Sequence, residues 1–234
     1  MKEECVARRM PPKAGKIACK TTLMLRPVFS ILKLQVMWGN KRDLLRSFIQ
    51  SNSPHVDDSL VEQLVAGVEP KDYPRGTLLV RQGDVATDCY FVLAGCLRMF
   101  SFDEEGIEKT VEFFTEQQSV VIYESYTHGK PSPYSVECSE TCLLVAGDLR
   151  AEQDMYKRFP AMQDMIRATL ENRIVEGHER HSSFKASSPE RRYLQLLERR
   201  PGLAGRVPQH QLASYLGITP ESFSRIKRRL NKSR

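Results

Sequence analysis

The stretch Val207-Pro-Gln-His-Gln-Leu-Ala-Ser-Tyr-Leu-Gly-Ile-Thr-Pro-Glu-Ser-Phe-Ser-Arg-Ile-Lys-Arg-Arg-Leu230 predicts two short helices joined by a tight turn. The first helix, residues 209–216, has three apolar residues on one face, namely Leu212, Ala213 and Leu216. Gly217 can adopt the left-handed backbone conformation that commonly ends a helix. Thr219 and Pro220 then predict the start of a second helix, because a hydroxyl cap is followed by a proline in the first turn.

The second helix combines an apolar stripe with a basic opposite face. Phe223, Ile226 and Leu230 recur at three- and four-residue spacing and are expected to be buried. The residues left facing outward are Glu221, Ser222, Ser224, Arg225, Arg228 and Arg229. A basic outward face on the second helix of such a pair is what reading the major groove of DNA requires. The alternative is a basic, solvated face on an ordinary helical hairpin.

The charges of the chain are segregated along its length. Of 35 Lys and Arg and 29 Asp and Glu, residues 181–234 hold 12 basic and three acidic residues. Residues 41–180 hold 15 basic and 24 acidic residues, and residues 1–40 hold eight basic and two acidic residues. An acidic body with a basic carboxyl-terminal module indicates a polyanion bound at one end of the molecule.

Residues 41–150 predict a β-sheet domain preceded by helical segments. A helical period begins at Lys41, and a second helical stretch starts at Asp57-Asp58-Ser59. From Gly67 to Val145, short apolar runs recur about every dozen residues between Gly and Asp turns. The runs begin at Thr77, Tyr90, Cys96, Thr110, Ser135 and Cys142. Repeated strands bounded by such turns are typical of an antiparallel barrel or sandwich.

Residues 1–40 differ from the rest and predict a poorly structured extension outside the folded unit. Residues 1–36 contain no acidic residue after Glu4 and show no clear helical or alternating period, and Met37 is an alternative start. The apolar run from Thr21 to Trp38 is interrupted by two basic residues, so no membrane span is predicted.

The six cysteines contain no CxxC pair and no histidine at zinc-ligand spacing. This pattern indicates free, buried thiols in a reducing cytoplasm rather than disulfides or a metal site. The cysteines are Cys5, Cys19, Cys89, Cys96, Cys138 and Cys142.

A single amphipathic helix is predicted from Asp148 to about Phe184. Its apolar stripe is Met162, Met165, Ile166, Thr169, Leu170 and Ile174. Such a helix between a β domain and a DNA-binding end favours a coiled-coil-like homodimer seam around Met162–Ile174. The alternative is that the stripe packs on its own β domain, and both can hold on different faces. We assign residues 151–184 to this dimerisation helix.

Residues 185–234 form the carboxyl-terminal module in this division. Ser188-Pro189 predicts the start of a helix over 190–199. Three of its apolar side chains are predicted to face the helix pair: Tyr193, Leu194 and Leu197. Arg206-Val207 is short enough to be one strand of a wing. The predicted fold class is therefore α+β, with an antiparallel β-roll, a long dimerisation helix and a winged helix-turn-helix.

This order of elements resembles the family of transcription regulators typified by the cAMP receptor protein and FNR. The resemblance covers about residues 44–230. Its most specific pieces are Arg75-Gly-Thr-Leu-Leu-Val-Arg-Gln-Gly-Asp84, Tyr90-Phe-Val-Leu-Ala-Gly-Cys-Leu-Arg98 and the final helix pair. The resemblance implies a cyclic-nucleotide-binding-like sensor domain of jelly-roll type, a homodimer and binding to double-stranded DNA. It also admits RNA polymerase as a partner.

The resemblance implies an effector pocket, but the cyclic-nucleotide motif of the family is missing. Members that bind cyclic AMP have Gly-Glu before the pocket helix and an Arg further on, which hold the ribose hydroxyl and the phosphate. The corresponding positions here are Val121-Ile122 and Ser132. Because a buried phosphate without a cationic partner is costly, cyclic-nucleotide binding is not expected. The predicted lining of a pocket for an unidentified effector is Val121, Ile122, Tyr123, Glu124, Ser132 and Tyr134.

The residues that contact DNA in the family match this sequence better than the cyclic-nucleotide-binding residues do. Thr219, Glu221 and Arg225 match positions of the family's recognition helix, whereas Pro220 stands where an Arg is common, so the usual family operator is not expected. Glu221 can accept from cytosine N4, or act as a helix-dipole partner, and Arg225 can bond guanine O6 and N7. The predicted DNA-contacting set is Gln209, Thr219, Pro220, Glu221, Ser222, Ser224, Arg225, Arg228 and Arg229, of which the last two more often neutralise phosphate.

Enzymatic and cofactor chemistry find little support in the sequence. The chain has no GxSxG, no P-loop and no HExxH motif, so we assign no catalytic residue. It also lacks clustered amino-terminal cysteines for an iron–sulfur centre, and no cofactor or metal is predicted. Haem ligation by His128, His178 or His181 stays an alternative to lone surface histidines. The alternative function is a ligand-binding signalling module whose basic tail does not read DNA.

Overall fold

Two antiparallel sheets form the body of the protein between residues 71 and 148. The computed structural model describes residues 38–52, 56–160, 163, 167, 177 and 182–232. The strand order is β1-β8-β3-β6 in the first sheet and β2-β7-β4-β5 in the second, which confirms the predicted antiparallel β domain. The strands are β1 Lys71–Tyr73, β2 Leu78–Val80, β3 Asp88–Ala94, β4 Leu97–Phe102, β5 Glu108–Phe114, β6 Ser119–Val120, β7 Ser135–Cys138 and β8 Cys142–Asp148.

The core of this domain lies between the two sheets. Val92 and Leu144 of the first sheet and Leu97 and Val136 of the second are fully buried in one apolar cluster. Burying a side chain of this size stabilises the fold by about 1.5–3 kcal/mol. The apolar runs predicted six of the strands. The polar β1 left no such signal, and neither did the two-residue β6, although its Val120 lies in the core.

Within the part of the chain that the structure describes, two helices precede the sheets, as the sequence predicted. They are α1, Lys41–Asn52, and α2, Asp58–Gly67. The Asp57 carboxylate caps α2 by accepting a hydrogen bond from the Leu60 amide at 2.7 Å. Phe48 of α1 meets Phe91 of β3 edge-on, with ring centroids 5.6 Å apart, and so attaches α1 to the first sheet.

Gly95 is required at the turn between β3 and β4. Its φ of +105° is a conformation that other residues rarely adopt. A Cβ atom there would lie 2.6 Å from Cys142 Sγ and 2.8 Å from Cys142 Cα. Both conformation and space therefore demand glycine within the stretch Tyr90–Arg98 that carries the family resemblance.

The helix predicted from Asp148 to Phe184 is interrupted at Phe159, and most of its later part lies outside the described residues. Asp148 does begin a helix, α4, Leu149–Arg158, by accepting from the Ala151 amide at 2.7 Å. The helix ends at Phe159, whose φ of −136° and ψ of 78° are not helical. Pro160 explains this break, because a residue that precedes proline is pushed out of the helical region. The six residues of the predicted dimerisation stripe lie outside the described residues.

Four helices follow in the carboxyl-terminal part, after a helical segment at 182–186. They are α5 Pro189–Arg199, α6 Leu203–Arg206, α7 Gln209–Tyr215 and α8 Pro220–Lys232. Ser188 caps α5, as predicted, by accepting from the Arg191 amide at 3.3 Å. The predicted turn after α7 is also confirmed, since Gly217 has a φ of +67°.

The predicted strand at Arg206-Val207 is wrong. Arg206 is the last residue of α6, and the structure contains no strand within residues 182–232. The helical turn brings both Leu203 and Val207 into the apolar core of the module, where they are 2% and 6% exposed. A wing strand at this position would have placed only alternate side chains there.

Phe223 is central to that core and is 1% exposed. Its ring meets Tyr193 of α5 edge-on at a centroid distance of 5.0 Å. The predicted apolar positions Leu212, Ala213, Leu216 and Ile226 are buried as well. On α5, however, Leu196 is buried and Leu194 is exposed, so the prediction for Leu194 is wrong.

The carboxyl-terminal helices dock on β5, an edge strand of the second sheet. The Thr110 amide donates to Ser214 Oγ of α7 at 2.9 Å, which satisfies a backbone group that an edge strand leaves unpaired. Phe113 of β5 packs edge-on against Tyr215, with centroids 5.5 Å apart. Phe113 shares one apolar cluster with Phe223, so β5 and the helix pair are packed together through a common core.

Ionic contacts reinforce this docking. Arg200 donates to the Phe113 carbonyl at 2.8 Å and to Glu112 at 3.2 Å. Arg206 lies 2.7 Å from a Glu116 oxygen and donates to Glu140 at 3.0 Å. We call these five side chains the interdomain ion cluster: Glu112, Glu116, Glu140, Arg200 and Arg206.

Glu116 accepts hydrogen bonds from residues on both sides of the docking contact. Its Oε1 accepts from the Gly95 amide at 2.9 Å as well as from Arg206. Burial alone would raise the pKa of the Glu116 carboxyl, but these hydrogen bonds lower it below its usual value. The hydrogen bond with Glu116 in turn raises the pKa of the Arg206 guanidinium. Glu116 is therefore ionised at neutral pH.

The four described cysteines are free thiols, in agreement with the prediction. Cys96, Cys138 and Cys142 are buried and Cys89 is half-buried. Burial raises the pKa of Cys89 to about 11 and that of Cys96 to about 12, so both thiols are protonated at neutral pH.

Several predictions fall outside the described residues. These are the extension at residues 1–37 with Cys5 and Cys19, and the histidines His178 and His181. Among the residues that the structure describes, no helix has the length and apolar character needed to cross a membrane.

Candidate nucleic-acid interface and effector pocket

The outward face of α8 is presented to solvent as the sequence predicted. Glu221, Ser224, Arg225, Arg228 and Arg229 are exposed, and Ser222 is half-buried. On the opposite face Phe223 and Ile226 are 1% and 9% exposed. The helix therefore offers a cationic surface on a rigidly packed element, which suits contact with a polyanion.

Hydroxyl groups organise the first two turns of this face. Thr219 Oγ1 caps α8 by accepting from the Ser222 amide at 3.3 Å. It also lies 3.2 Å from Ser222 Oγ, which in turn accepts from Arg225 Nη2 at 3.1 Å. Thr219, Ser222 and Arg225 follow one another at three-residue spacing, so the chain of contacts runs along one side of the helix.

Glu221 lies beside this chain at the start of α8. A hydrogen bond from its own backbone amide, followed by one from the Thr219 hydroxyl, lowers the pKa of the Glu221 carboxyl. The nearby Arg225 acts in the same direction. Glu221 is therefore a carboxylate at neutral pH, as required both for accepting from cytosine N4 and for the helix-dipole alternative.

Arg228 and Arg229 differ in their surroundings. Arg229 forms an ion pair with Glu190 of α5. No ion-pair partner for Arg228 occurs among the described residues. A phosphate group would therefore meet an uncompensated charge at Arg228, whereas at Arg229 it would compete with a carboxylate. The sequence analysis missed Glu190, because nothing in its position indicates a contact 39 residues away.

Arg192 links the turn of the helix pair to the segment that precedes α5. Its guanidinium donates to the Leu216 carbonyl at 2.7 Å and to the Ser187 carbonyl at 3.1 Å. It also lies over the Phe184 ring, 3.9 Å from the centroid. The guanidinium thus satisfies a carbonyl at the carboxyl end of α7, where helices leave such groups unpaired. Sequence reasoning missed this residue as well.

The remaining predicted DNA-contacting residues also lie at the surface. Gln209 is the first residue of α7 and is exposed. Thr219 and Pro220 are exposed at the start of α8. All nine predicted residues thus belong to the two helices and their connecting turn.

The predicted effector pocket is centred on helix α3, Tyr123–His128. Ile122 is buried just before α3, whereas Tyr123 is 60% exposed. Glu124 is exposed and pairs with Lys130 at 3.3 Å. Tyr123 and Glu124 therefore face solvent, whereas Val121 and Tyr134, at the two ends of the predicted lining, are half-buried.

Ser132 and Tyr134, at the other end of the predicted pocket, take part in a tight turn. Ser132 Oγ donates to the Tyr134 carbonyl at 2.6 Å, and Ser132 is 2% exposed. Its backbone carbonyl accepts from the Gly83 amide, and its amide donates to the Asp84 carbonyl, both at 2.8 Å. This position therefore carries a small, internally satisfied hydroxyl where a phosphate-binding site would need a cation.

A small cleft of about 110 Å³ lies near this turn but on other residues. Its lining is Leu79, Val80, Arg81, Asp84, Val85, Ala86, Thr87, Asp88 and Tyr90. None of the six predicted pocket residues is among them. The mixture of Arg81 with two carboxylates gives the cleft no clear preference for an anion.

Helix α3 is linked to α4 by a carboxylate. Tyr126 of α3 donates to Glu152 Oε2 at 2.5 Å, and Tyr156 donates to the other oxygen of the same carboxylate. Burial, followed by the hydrogen bond to Glu152, raises the pKa of both tyrosines. A displacement of α3 would therefore be transmitted to α4, the helix that leads out of the β domain. His128, at the end of α3, is exposed.

Comparison with known proteins agrees with this geometry. Residues 70–158 match the model of the cyclic nucleotide-binding domain. The fumarate and nitrate reduction regulatory protein of Vibrio cholerae is 23% identical over 190 residues, which cover 76% of this chain and 75% of that protein. The c-di-GMP responsive global regulator CLP of Xanthomonas campestris has a TM-score of 0.61 at 18% identity, over 76% of this chain and 93% of that chain.

Residues 70–158 thus match the cyclic nucleotide-binding domain family, and the chain resembles regulators of the CRP/FNR type. FixK2 of Bradyrhizobium japonicum shares the fold too, with a TM-score of 0.59 at 14% identity over 71% of this chain and 85% of that chain.

Proposed function

We propose that this protein is a homodimeric, sequence-specific DNA-binding transcription regulator of the CRP/FNR type that reads the major groove with α8. The observation that carries the proposal is the division of α8 into a core face, with Phe223 and Ile226, and a solvent face, with Arg225 and Arg228. A helix packed on one side and cationic on the other can enter a groove without losing its place in the fold. In this proposal α7 and α8 act as a helix-turn-helix.

We assign different roles in DNA binding to different residues of α8. Arg225 has a planar fork that matches guanine O6 and N7, so we assign base reading to it and to the neighbouring Glu221. Arg228 neutralises phosphate and positions the helix without specifying sequence. Arg229 contributes less, because Glu190 already compensates its charge.

The proposed dimer forms through the Met162–Ile174 stripe. Two copies of α8 would then enter successive major grooves about 34 Å apart on one face of the duplex, which implies a two-fold-related site. RNA polymerase as a further partner stays a prediction.

The proposed effector is not a cyclic nucleotide. Support comes from Ser132, whose hydroxyl is used within its own turn and which replaces the expected cation. The effector itself stays unidentified. Through the hydrogen bonds of Tyr126 and Tyr156 to Glu152, a displacement of α3 by the effector would be transmitted to α4.

Selection from a randomised duplex library tests the proposed function. The full-length protein should enrich a two-fold-related motif, and its affinity should fall steeply as salt rises, because phosphate contacts release counterions. A variant with Arg225 and Arg228 both changed to Ala is the control for the contribution of α8. A protein that enriches no motif, or that binds the library as well after this double change, is instead the signalling module whose basic tail does not read DNA.

A further inference from the structure

We infer that Ser222 is a positioning residue, which holds the Arg225 guanidinium in the orientation that reads a base; this inference rests on the proposed function. Arg225 Nη2 donates to Ser222 Oγ at 3.1 Å, one turn nearer the start of α8. Ser222 Oγ is itself held 3.2 Å from Thr219 Oγ1. The exposed guanidinium is thus held at one of its nitrogens, and a guanidinium has five N–H donors in all.

Orientation matters because an exposed arginine is a long and flexible side chain. A bidentate contact with guanine needs the guanidinium plane and both of its donors in place at once. The conformational entropy that a side chain loses on binding lowers the affinity. A side chain that is already oriented loses less entropy. Ser222 supplies this orientation with a neutral hydroxyl, so the positive charge of Arg225 stays available to DNA.

Ser222 can be altered without disturbing the start of the helix. The cap runs from Thr219 Oγ1 to the backbone amide of Ser222, and alanine keeps that amide. Alanine also has the highest helix propensity of all residues. Ser222→Ala therefore removes the link to Arg225 and leaves the packing of Phe223, on the opposite face, as it is.

A direct contact between Ser222 and a phosphate is the competing explanation. The two explanations differ in how Ser222 and Arg225 combine. If Ser222 acts through Arg225, its removal has no effect once Arg225 is alanine. If Ser222 contacts DNA itself, the fold-losses of affinity caused by Ser222→Ala and Arg225→Ala multiply in the double variant.

The experiment compares base preferences of the full-length protein on the motif that the wild type enriches from a randomised duplex library. Ser222→Ala should reduce the preference at the base read by Arg225 about three- to tenfold, the range for one hydrogen bond. The other positions and the salt dependence should not change. Ser222→Thr keeps the hydroxyl and should restore the preference. The matched control is Ser59→Ala, which removes an exposed hydroxyl in α2.

Two results would overturn the inference while leaving the proposed function intact. One is an unchanged base profile in Ser222→Ala, and the other is a further loss when Ser222→Ala is added to Arg225→Ala. A wild-type protein that enriches no motif at all would instead contradict the proposed function.

The free protein offers a second test that needs no DNA. In the wild type, NMR relaxation of the Arg225 Nε–Hε group should show a more ordered side chain than that of Arg228. Ser222→Ala should bring Arg225 to the mobility of Arg228, and Ser222→Thr should not. Equal mobility of the two arginines in the wild type would contradict a positioning role for Ser222.

Discussion

The basic side chains of α8 have different surroundings, although they look alike in the sequence. Arg225 is held by a neutral hydroxyl, Arg229 by the Glu190 carboxylate, and Arg228 has no ion-pair partner among the described residues. A guanidinium is useful for base reading when it is oriented and for phosphate binding when it is uncompensated. The three residues therefore suit three different contributions to DNA binding.

Arg225→Ala should weaken binding to the enriched motif by about 1–3 kcal/mol and relax the preference at one base position. Arg228→Ala should weaken binding to all sequences and reduce the salt slope by about 1, because one phosphate contact is lost. Mobility-shift titrations on the motif and on a scrambled duplex separate the two effects. Equal losses on both duplexes for Arg225→Ala would remove it from base reading.

Glu190→Gln should increase affinity for DNA of any sequence. The change removes the carboxylate that pairs with Arg229, so the guanidinium can bind phosphate and the salt slope should steepen by up to about 1. Glu198→Gln is the matched control, since Glu198 is exposed on the same helix and the net charge changes equally. If both variants gain the same affinity, net charge rather than the release of Arg229 explains the effect.

At the scale of elements, the docking of α7 on β5 determines where α8 lies relative to the β domain. An apolar contact between Phe113 and Tyr215, a hydrogen bond from Thr110 to Ser214 and the interdomain ion cluster act together. Since α8 packs against α7 and α5, it follows the position of this contact.

The docking contact should lose stability in acid because of Glu116. Its pKa is lowered in the folded protein, so the stabilisation is complete above the unfolded value of about 4.5 and is lost as the pH falls through the lower folded value. Glu116→Gln should therefore lower the melting temperature at pH 7, and this difference should shrink towards pH 3. Thermal unfolding at both pH values measures it.

Glu124→Gln provides the control for that experiment, because Glu124 is exposed and pairs only with the exposed Lys130 in the contacts described. It should leave the melting temperature nearly unchanged at both pH values. A constant difference between wild type and Glu116→Gln from pH 7 to pH 3 would show that Glu116 does not act through its charge.

The elements that the sequence predicted are those whose signals are local. Caps such as Asp57, Ser188 and Thr219 act within three residues, and Gly217 acts through its own backbone. The break before Pro160 has a local cause too and was missed because the helical period continued beyond it. Docking could not be predicted, since Thr110 and Ser214 are 104 residues apart and neither carries a distinctive pattern.

At the scale of the whole molecule, the segregated charge serves two purposes. Part of it is used within the protein, because acidic Glu116 and Glu140 of the β domain pair with basic Arg206. The charge asymmetry therefore does not belong entirely to a polyanion-binding surface. Arg225 and Arg228, exposed on the face of α8 opposite its core, are the portion that we propose binds DNA.

Cyclic AMP should not stabilise the full-length protein. A ligand that binds the folded state raises the melting temperature by mass action, and a phosphate without a cationic partner would not bind well. Thermal-shift measurements at millimolar cyclic AMP should give the same melting temperature as buffer. Ser132→Arg provides a comparison at the position where the family's cation is missing, and a clear shift in the wild type would contradict this account of the pocket.

Site-specific photo-cross-linking tests the central claim most directly. A photoreactive residue at position 224, on the outward face of α8, should cross-link to the enriched duplex. The same residue at position 123, exposed on α3 of the β domain, should not. Efficient cross-linking at 224 alone is the result we predict, and cross-linking at 123 with none at 224 would contradict the proposal that α8 is the part of the protein that meets DNA.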